Sequence, residues 1–119
     1  MKKILIADDS GYQRKVLSEI VRELGYDAVT VGSGEELLKV LNESIDCIFL
    51  DLLMPGMNGI DVLRALSAQP NSPPVVVISA DIQEKRKQEC LSLGAFAFVN
   101  KMVSKADIQN TLNLVFINK

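Results

Sequence analysis

Ile4-Leu5-Ile6-Ala7-Asp8-Asp9 sets four apolar residues against two carboxylates, and Ile48-Phe49-Leu50-Asp51 repeats the arrangement with one. An apolar run that ends in acid and then turn residues is the pattern of a buried strand in a parallel sheet. The carboxyl ends of such strands are where open α/β sheets place their chemistry. If the two strands are neighbours, Asp8, Asp9 and Asp51 converge. Three carboxylates at close range cannot all stay ionised without compensation, so either their pKa values rise or a hard cation sits among them. Magnesium suits such an oxygen-only site.

Around these two runs the chain alternates short apolar segments with helical patterns. Strands are expected at Lys3–Ala7, Asp27–Val31, Cys47–Leu50, Val75–Ile78 and Ala97–Asn100. Between the first two, Val16, Leu17, Ile20, Val21 and Leu24 recur at helical spacing, and Gly25 stands where a left-handed C-terminal cap belongs. The second helix opens at Ser33-Gly34-Glu35-Glu36, a capping-box arrangement of Ser33 and Glu36, and should bury Leu37, Leu38 and Leu41. The last helix repeats that logic less ideally with Ser104 and Asp107, ahead of Ile108, Leu112 and Val115. Strands alternating with helices give right-handed crossovers and a parallel sheet covered on both faces. The expected fold is therefore α/β: a doubly wound five-stranded parallel sheet in flavodoxin-like order 2-1-3-4-5 with five helices. That order brings Asp8, Asp9 and Asp51 to one edge.

The 119 residues suffice for one domain with a single well-packed core, and 48% of them are hydrophobic. Thirteen basic residues against fifteen acidic ones leave a net charge of −2, with no basic run to track a phosphate backbone, so nucleic acid is not an expected direct partner. No apolar stretch approaches bilayer length, and Met1-Lys2-Lys3 leads into too short an apolar run for a signal peptide; a cytoplasmic protein without a membrane partner is expected. Cys47 lies in a strand pattern and Cys90 in a helical one, which reads as two buried free thiols. The chain has no histidine, so any imidazole in its chemistry belongs to another molecule.

Beyond Asp51 the sequence continues Leu52-Leu53-Met54-Pro55-Gly56-Met57-Asn58-Gly59. The fourth strand ends in Ser79-Ala80-Asp81, and the fifth in Phe98-Val99-Asn100-Lys101. Together with Asp8-Asp9, this ordered set resembles the receiver domain of two-component response regulators over essentially the whole chain. The resemblance implies a single receiver domain over residues 1–119 with no effector region, similar to single-domain regulators of the chemotaxis or phosphorelay type. It implies that Asp51 is the phosphoacceptor, taking a phosphoryl group from a partner histidine kinase, a phosphotransfer protein or a small acyl phosphate. It implies that Asp8, Asp9, Asp51 and the backbone carbonyl of Leu53 hold Mg2+, with Asp9 ligating directly and Asp8 partly through water. Lys101 and Ser79 would contact phosphoryl oxygens, and Phe98 would turn inward as the Ser79 hydroxyl moves toward phosphate. Apolar Leu53, two places after the acceptor, cannot orient a water and should do little to speed hydrolysis. The family commonly has a cis-joined proline after the lysine; here Met102 follows Lys101, leaving cis and trans loops both open. As an enzyme the domain would catalyse only its own phosphorylation and dephosphorylation.

Singly, each feature has a plainer reading. Asp8-Asp9 equally suits a solvated acidic turn or a helix cap, Lys101 a surface lysine, Ser79 a strand-end cap, Phe98 a core residue, and Met54-Pro55-Gly56-Met57 a turn with two apolar anchors. Leu114 and Ile117 lie off the buried stripe of the last helix. They are either scattered exposed apolars or part of a contact surface on the face of the fourth helix, fifth strand and fifth helix, which the family uses for dimers or targets. Three other functions compete: a degenerate receiver that serves only as a dimerisation or interaction module, a magnesium-dependent phosphohydrolase, and a flavodoxin-like cofactor binder. The phosphohydrolase would want a second aspartate where Leu53 stands, and the carboxylates of Asp8-Asp9-Ser10-Gly11 would repel a cofactor phosphate.

Overall fold

In the computed structural model, which describes residues 1–54 and 56–117, strands and helices alternate strictly. They run β1 (Lys3–Ala7), α1 (Gly11–Glu23), β2 (Asp27–Val31), α2 (Gly34–Val40), β3 (Cys47–Asp51), α3 (Gly59–Ser67), β4 (Val75–Ser79), α4 (Glu84–Ser92), β5 (Ala97–Asn100) and α5 (Lys105–Val115). The sheet order is β2-β1-β3-β4-β5 with every pair parallel, as the sequence predicts. Two strands run one residue further than expected. Asp51 is the last residue of β3 and Ser79 the last of β4, so the backbone of each is fixed by the sheet rather than by a loop. Pro55, part of the turn singled out above, lies outside the described residues.

The period-2 alternation of each strand sorts the core onto two faces. Leu5, Ala7, Ile48, Leu50 and Val77 point to the side covered by α2, α3 and α4, where Leu37, Val62, Leu63, Leu66 and Cys90 meet them. Ile4, Ile6, Cys47, Phe49, Val76 and Ile78 point to the side covered by α1 and α5, against Leu17, Val21, Ile108, Leu112 and Val115. The central strands β1, β3 and β4 are apolar on both faces because both faces are covered, whereas Asp27 and Thr30 of edge strand β2 are exposed.

Helix ends follow their local chemistry. Gly25 has φ +94° just beyond α1, as a C-terminal cap should. Ser33 caps α2 by accepting the Glu36 N–H at 3.1 Å, but Glu36 reaches back to the Gly32 N–H rather than closing a box on Ser33. Ser104 and Asp107 do form the full reciprocal box, a better cap than the sequence suggests. Leu37 is buried as expected, whereas Leu38 and Leu41 are only partly covered, because α2 lasts seven residues and Leu41 has already left it. Cys47 and Cys90 are both buried free thiols. Burial pushes the Cys47 thiol up to about 12 and raises that of Cys90 as well.

Candidate phosphoacceptor and metal site

The β1–β3 register sets Ala7 beside Leu50, so the residues that follow, Asp8 and Asp51, lie side by side at the carboxyl edge. Asp8, Asp9 and Asp51 each offer a carboxylate oxygen, and the three oxygens lie within 4.8 Å of one another. Asp8 and Asp51 are buried while Asp9 is exposed, so the cluster has a closed floor and one side open to solvent. Across this edge the fifth strand delivers Lys101, whose Nζ lies 3.2 Å from Asp8 Oδ2 and 3.4 Å from Asp51 Oδ2. One ammonium thus bridges the two buried carboxylates. The Lys101–Met102 peptide bond is cis.

Burial raises the Asp51 pKa above its ordinary value, and the neighbouring charge of Asp8 adds to the rise; Lys101 and the Leu53 N–H oppose it. For Lys101, burial works against the charged form, but the attraction of Asp51 and Asp8 outweighs it and its pKa is raised. These opposed carboxylates and their single cation form the kind of electrostatically tuned cluster that functional sites carry.

The loops are pinned where they meet the cluster. Asp8 Oδ1 accepts the Ser10 N–H at 2.9 Å, and Ser10 in turn caps α1 by accepting the Gln13 N–H. Arg14, one turn into α1, donates from Nη1 to the Asp8 carbonyl at 2.8 Å. The Leu53 N–H donates to Asp51 Oδ1 at 3.3 Å, and the Gly59 N–H closes the loop onto the Leu52 carbonyl at 3.0 Å. The Leu53 side chain itself is exposed. Ser79 is fully buried and its Oγ accepts the Asp81 N–H at 3.0 Å, while Asn100 Nδ2 donates to the Asp81 carbonyl. Phe98 is half-buried against the α2–α4 side of the core. Leu114 and Ile117 stand off the buried stripe and are 59% and 70% exposed, while Phe116 packs on Tyr26 with ring centroids 5.7 Å apart. The structure therefore joins Asp8, Asp9, Asp51 and Lys101 directly, sets Ser79 at the adjoining strand end, and leaves Leu114 and Ile117 apart on α5 and just beyond it. Arg14, Glu35 and Asn100 also act on these loops without having been singled out from sequence, since a lone arginine, glutamate or asparagine carries no local signal of a long-range bond. Asn58 did carry one: Asn58 with Asp61 three residues on is a helix start, and its side chain caps α3.

The model of the response regulator receiver domain matches residues 4–113. The chain belongs to that family. Receiver domains are phosphorylatable signalling modules of two-component systems. Among curated proteins, the chain is 36% identical over 115 residues to the sensory/regulatory protein RpfC of Xanthomonas campestris, covering 92% of this chain and 16% of that protein. It is 35% identical over 118 residues to the two-component response regulator ORR3 of rice, covering 96% and 90%. Among solved structures it is similar to the CheX-CheY-BeF3-Mg+2 complex of Borrelia burgdorferi, with 33% identity, TM-score 0.90, and coverage of 97% of this chain and 89% of that one. The receiver thus matches a small part of RpfC and nearly the whole of ORR3. Among the described residues no helix is long and apolar enough to cross a membrane.

The donor set fits magnesium. Three carboxylates supply hard oxygens, no softer ligand intrudes, and exposed Asp9 leaves room for the waters that this ion retains.

Proposed function

We propose that this receiver is a switch phosphorylated on Asp51 and that Asp8, Asp9 and the Leu53 carbonyl join Asp51 in holding Mg2+. The observation that carries the reading is the bridged cluster: three convergent carboxylate oxygens with Lys101 spanning Asp8 and Asp51. Both oxygens of Asp8 already accept hydrogen bonds, from Ser10 and Lys101, which leaves exposed Asp9 as the freer direct ligand. When bound, Mg2+ would neutralise charge on the transferred phosphoryl group.

Among the chain's own groups, a carboxylate oxygen of Asp51 attacks the phosphorus of a phosphohistidine on a sensor kinase or phosphotransfer protein, or of a small acyl phosphate. As the new O–P bond forms, the bond to the donor breaks and its electron pair leaves with the donor's nitrogen or oxygen. The chain has no histidine, so a phosphohistidine must come from another molecule. Lys101 already sits against Asp51 Oδ2 and moves its charge to a phosphoryl oxygen; Ser79 donates its hydroxyl to another. Moving Ser79 breaks its acceptance of the Asp81 N–H, and Phe98, which has no phenolic oxygen to satisfy, fills the space inward. The result is a changed α4-β5-α5 face, with exposed Leu114 and Ile117 beside it, to which a target or a second copy binds.

Intact-protein mass after incubation with acetyl phosphate tests this directly. One phosphoryl addition is expected in wild type with Mg2+, and none without Mg2+ or in Asp51→Asn. Equal labelling of the variant would move the acceptor elsewhere. Failure of wild type both to label and to bind beryllofluoride would make the domain a degenerate receiver.

A further inference from the structure

The loop from Leu52 to Asn58 joins β3 to α3 and carries the Leu53 carbonyl. It is pinned at its base by the Gly59–Leu52 hydrogen bond and anchored inward by buried Met54. Its outer arm is held from elsewhere. Glu35, in the first turn of α2 and 22 positions away in sequence, accepts the Met57 N–H on Oε1 at 2.9 Å. Among the described residues, this is the one hydrogen bond that reaches the loop from an element other than β3 and α3, which it joins.

The neighbouring glycines show that the contact is built. A Cβ on Gly34 would meet Val62 Cγ2 at 2.4 Å and the Met57 carbonyl at 3.2 Å, so α2 can approach the loop this closely only with glycine there. A Cβ on Gly56 would lie 3.2 Å from Glu35 Oε1, and its φ of +75° is one that glycine adopts without strain. The Met57 bond also holds the Glu35 carboxyl below its ordinary pKa, so it is ionised and accepting at neutral pH.

We infer that Glu35 is a positioning residue for the metal and phosphoryl site: its bond to Met57 fixes the β3–α3 loop and, through it, the Leu53 carbonyl. The inference rests on the proposed Mg2+ set, and its consequence is that an exposed residue of α2, with no atom in the cluster, sets the affinity of that cluster for metal. Release of the arm lets the Leu53 carbonyl sample positions away from the site, and a site that must be ordered on binding binds more weakly.

The test is Mg2+ affinity by calorimetry on wild type, Glu35→Ala, Glu35→Gln and Asp9→Ala, with exchange of the Met57 amide followed by NMR in each. Glu35→Ala should weaken Mg2+ about fivefold, the net worth of one lost hydrogen bond, and deprotect the Met57 amide. Glu35→Gln removes the charge but keeps the acceptor, so it should retain most of the affinity and protection. Asp9→Ala should bind Mg2+ far more weakly than any Glu35 variant. If Asp9→Ala binds like wild type, the proposed metal set fails. If Asp9→Ala fails to bind but Glu35→Ala binds like wild type, the positioning role is overturned and the metal set stands. If Glu35→Gln loses as much affinity as Glu35→Ala, long-range charge and not the bond is responsible, and the inference is equally overturned.

Discussion

Gly59 and Gly11 hold the same place in two helices, the first residue after the N-cap, and the same substitution should move stability in opposite directions at the two positions. A Cβ on Gly59 would meet Leu52 Cα at 2.5 Å, the Asp51 carbonyl at 2.8 Å and Leu52 Cδ2 at 2.8 Å; two of the three are backbone, which cannot step aside by changing rotamer. A Cβ on Gly11 would meet only Arg14 Nη2, at an ordinary 3.5 Å. Neither glycine has a positive φ, so the comparison isolates space from backbone strain. Forcing one carbon into a packed backbone costs about 1–3 kcal/mol, while alanine regains up to ~1 kcal/mol of helix propensity where nothing obstructs it. With about 2.1 cal/mol/K of unfolding entropy per residue, each kcal/mol moves the Tm of a chain this size by roughly 4 °C. Gly59→Ala should therefore melt about 4–12 °C below wild type, and Gly11→Ala up to about 4 °C above it, by differential scanning calorimetry. Because the displaced atoms belong to Asp51 and Leu52, Gly59→Ala should also lose phosphoryl labelling beyond its loss of stability, since small misplacements of a reacting group are costly. A Gly59→Ala variant that melts at or above wild type would refute the packing of α3 on the end of β3.

In metal-free buffer Asp51→Asn should be more stable than wild type at pH 7: the folded-state pKa of Asp51 lies above its ordinary 3.8, so ionising it costs the fold. That cost accumulates as pH rises from 3.8 through the folded value, so urea midpoints of the two proteins should converge below pH 3.8 and separate above it; parallel curves would refute the sign. Lys101→Ala leaves the buried carboxylates of Asp8 and Asp51 without their shared donor and should cost about 1–3 kcal/mol in urea unfolding, part of it recovered in Lys101→Ala/Asp51→Asn if the two act as one network. Since the folded-state pKa of Lys101 is raised, its stabilisation is complete below 10.5 and fades as pH climbs through the folded value, which an alkaline titration of Tm would show. Cys47 and Cys90 should react with a thiol reagent only as fast as the protein opens, and prompt native-state labelling of Cys47 would contradict its burial. Leu114→Glu should change stability by under about 0.5 kcal/mol, as surface substitutions do, while abolishing self-association or target binding in sedimentation if the α5 face is a contact surface.

The fold was legible because the central strands β1, β3 and β4 are apolar on both faces and several helices carry end signals; Ser33, Ser104 and Gly25 all stand at helix ends. The cluster was legible for a related reason: an acid directly after a buried run has nowhere to go but the sheet edge, and strand order then fixes which acids meet. What sequence reading did not reach depends on distance across the fold. Glu35 reads as one more acid in a first turn, and only the Met57 N–H, brought beside it by the packing of α2 on α3, gives it a second role. Arg14 reads as a helix-surface cation until its guanidinium is seen on the Asp8 carbonyl. Phe98, expected to turn inward as the Ser79 hydroxyl moves toward phosphate, is half-buried, a position that β5 permits as the outermost strand on that side.

The charge balance of the cluster gives these parts a common logic. Three carboxylates against one ammonium leave two negative charges uncompensated in a place where two of the carboxylates are out of water. A divalent cation, when bound, would cancel that excess, and phosphorylation of Asp51, which trades one carboxylate charge for about two on the phosphoryl group, would add about one negative charge back. Among the described residues, Lys101 is the one charged group in direct contact with both buried aspartates, and their attraction raises its pKa, so it keeps its proton at neutral pH. In the proposed switch, part of the change between states falls to a neutral donor at a strand end. Ser79 is the candidate, because its hydroxyl oxygen is engaged by nothing stronger than the N–H of its own turn. A phosphoryl oxygen would accept the Ser79 hydroxyl proton in a charge-assisted hydrogen bond, about twice as strong as the neutral bond in which Ser79 Oγ accepts the Asp81 N–H.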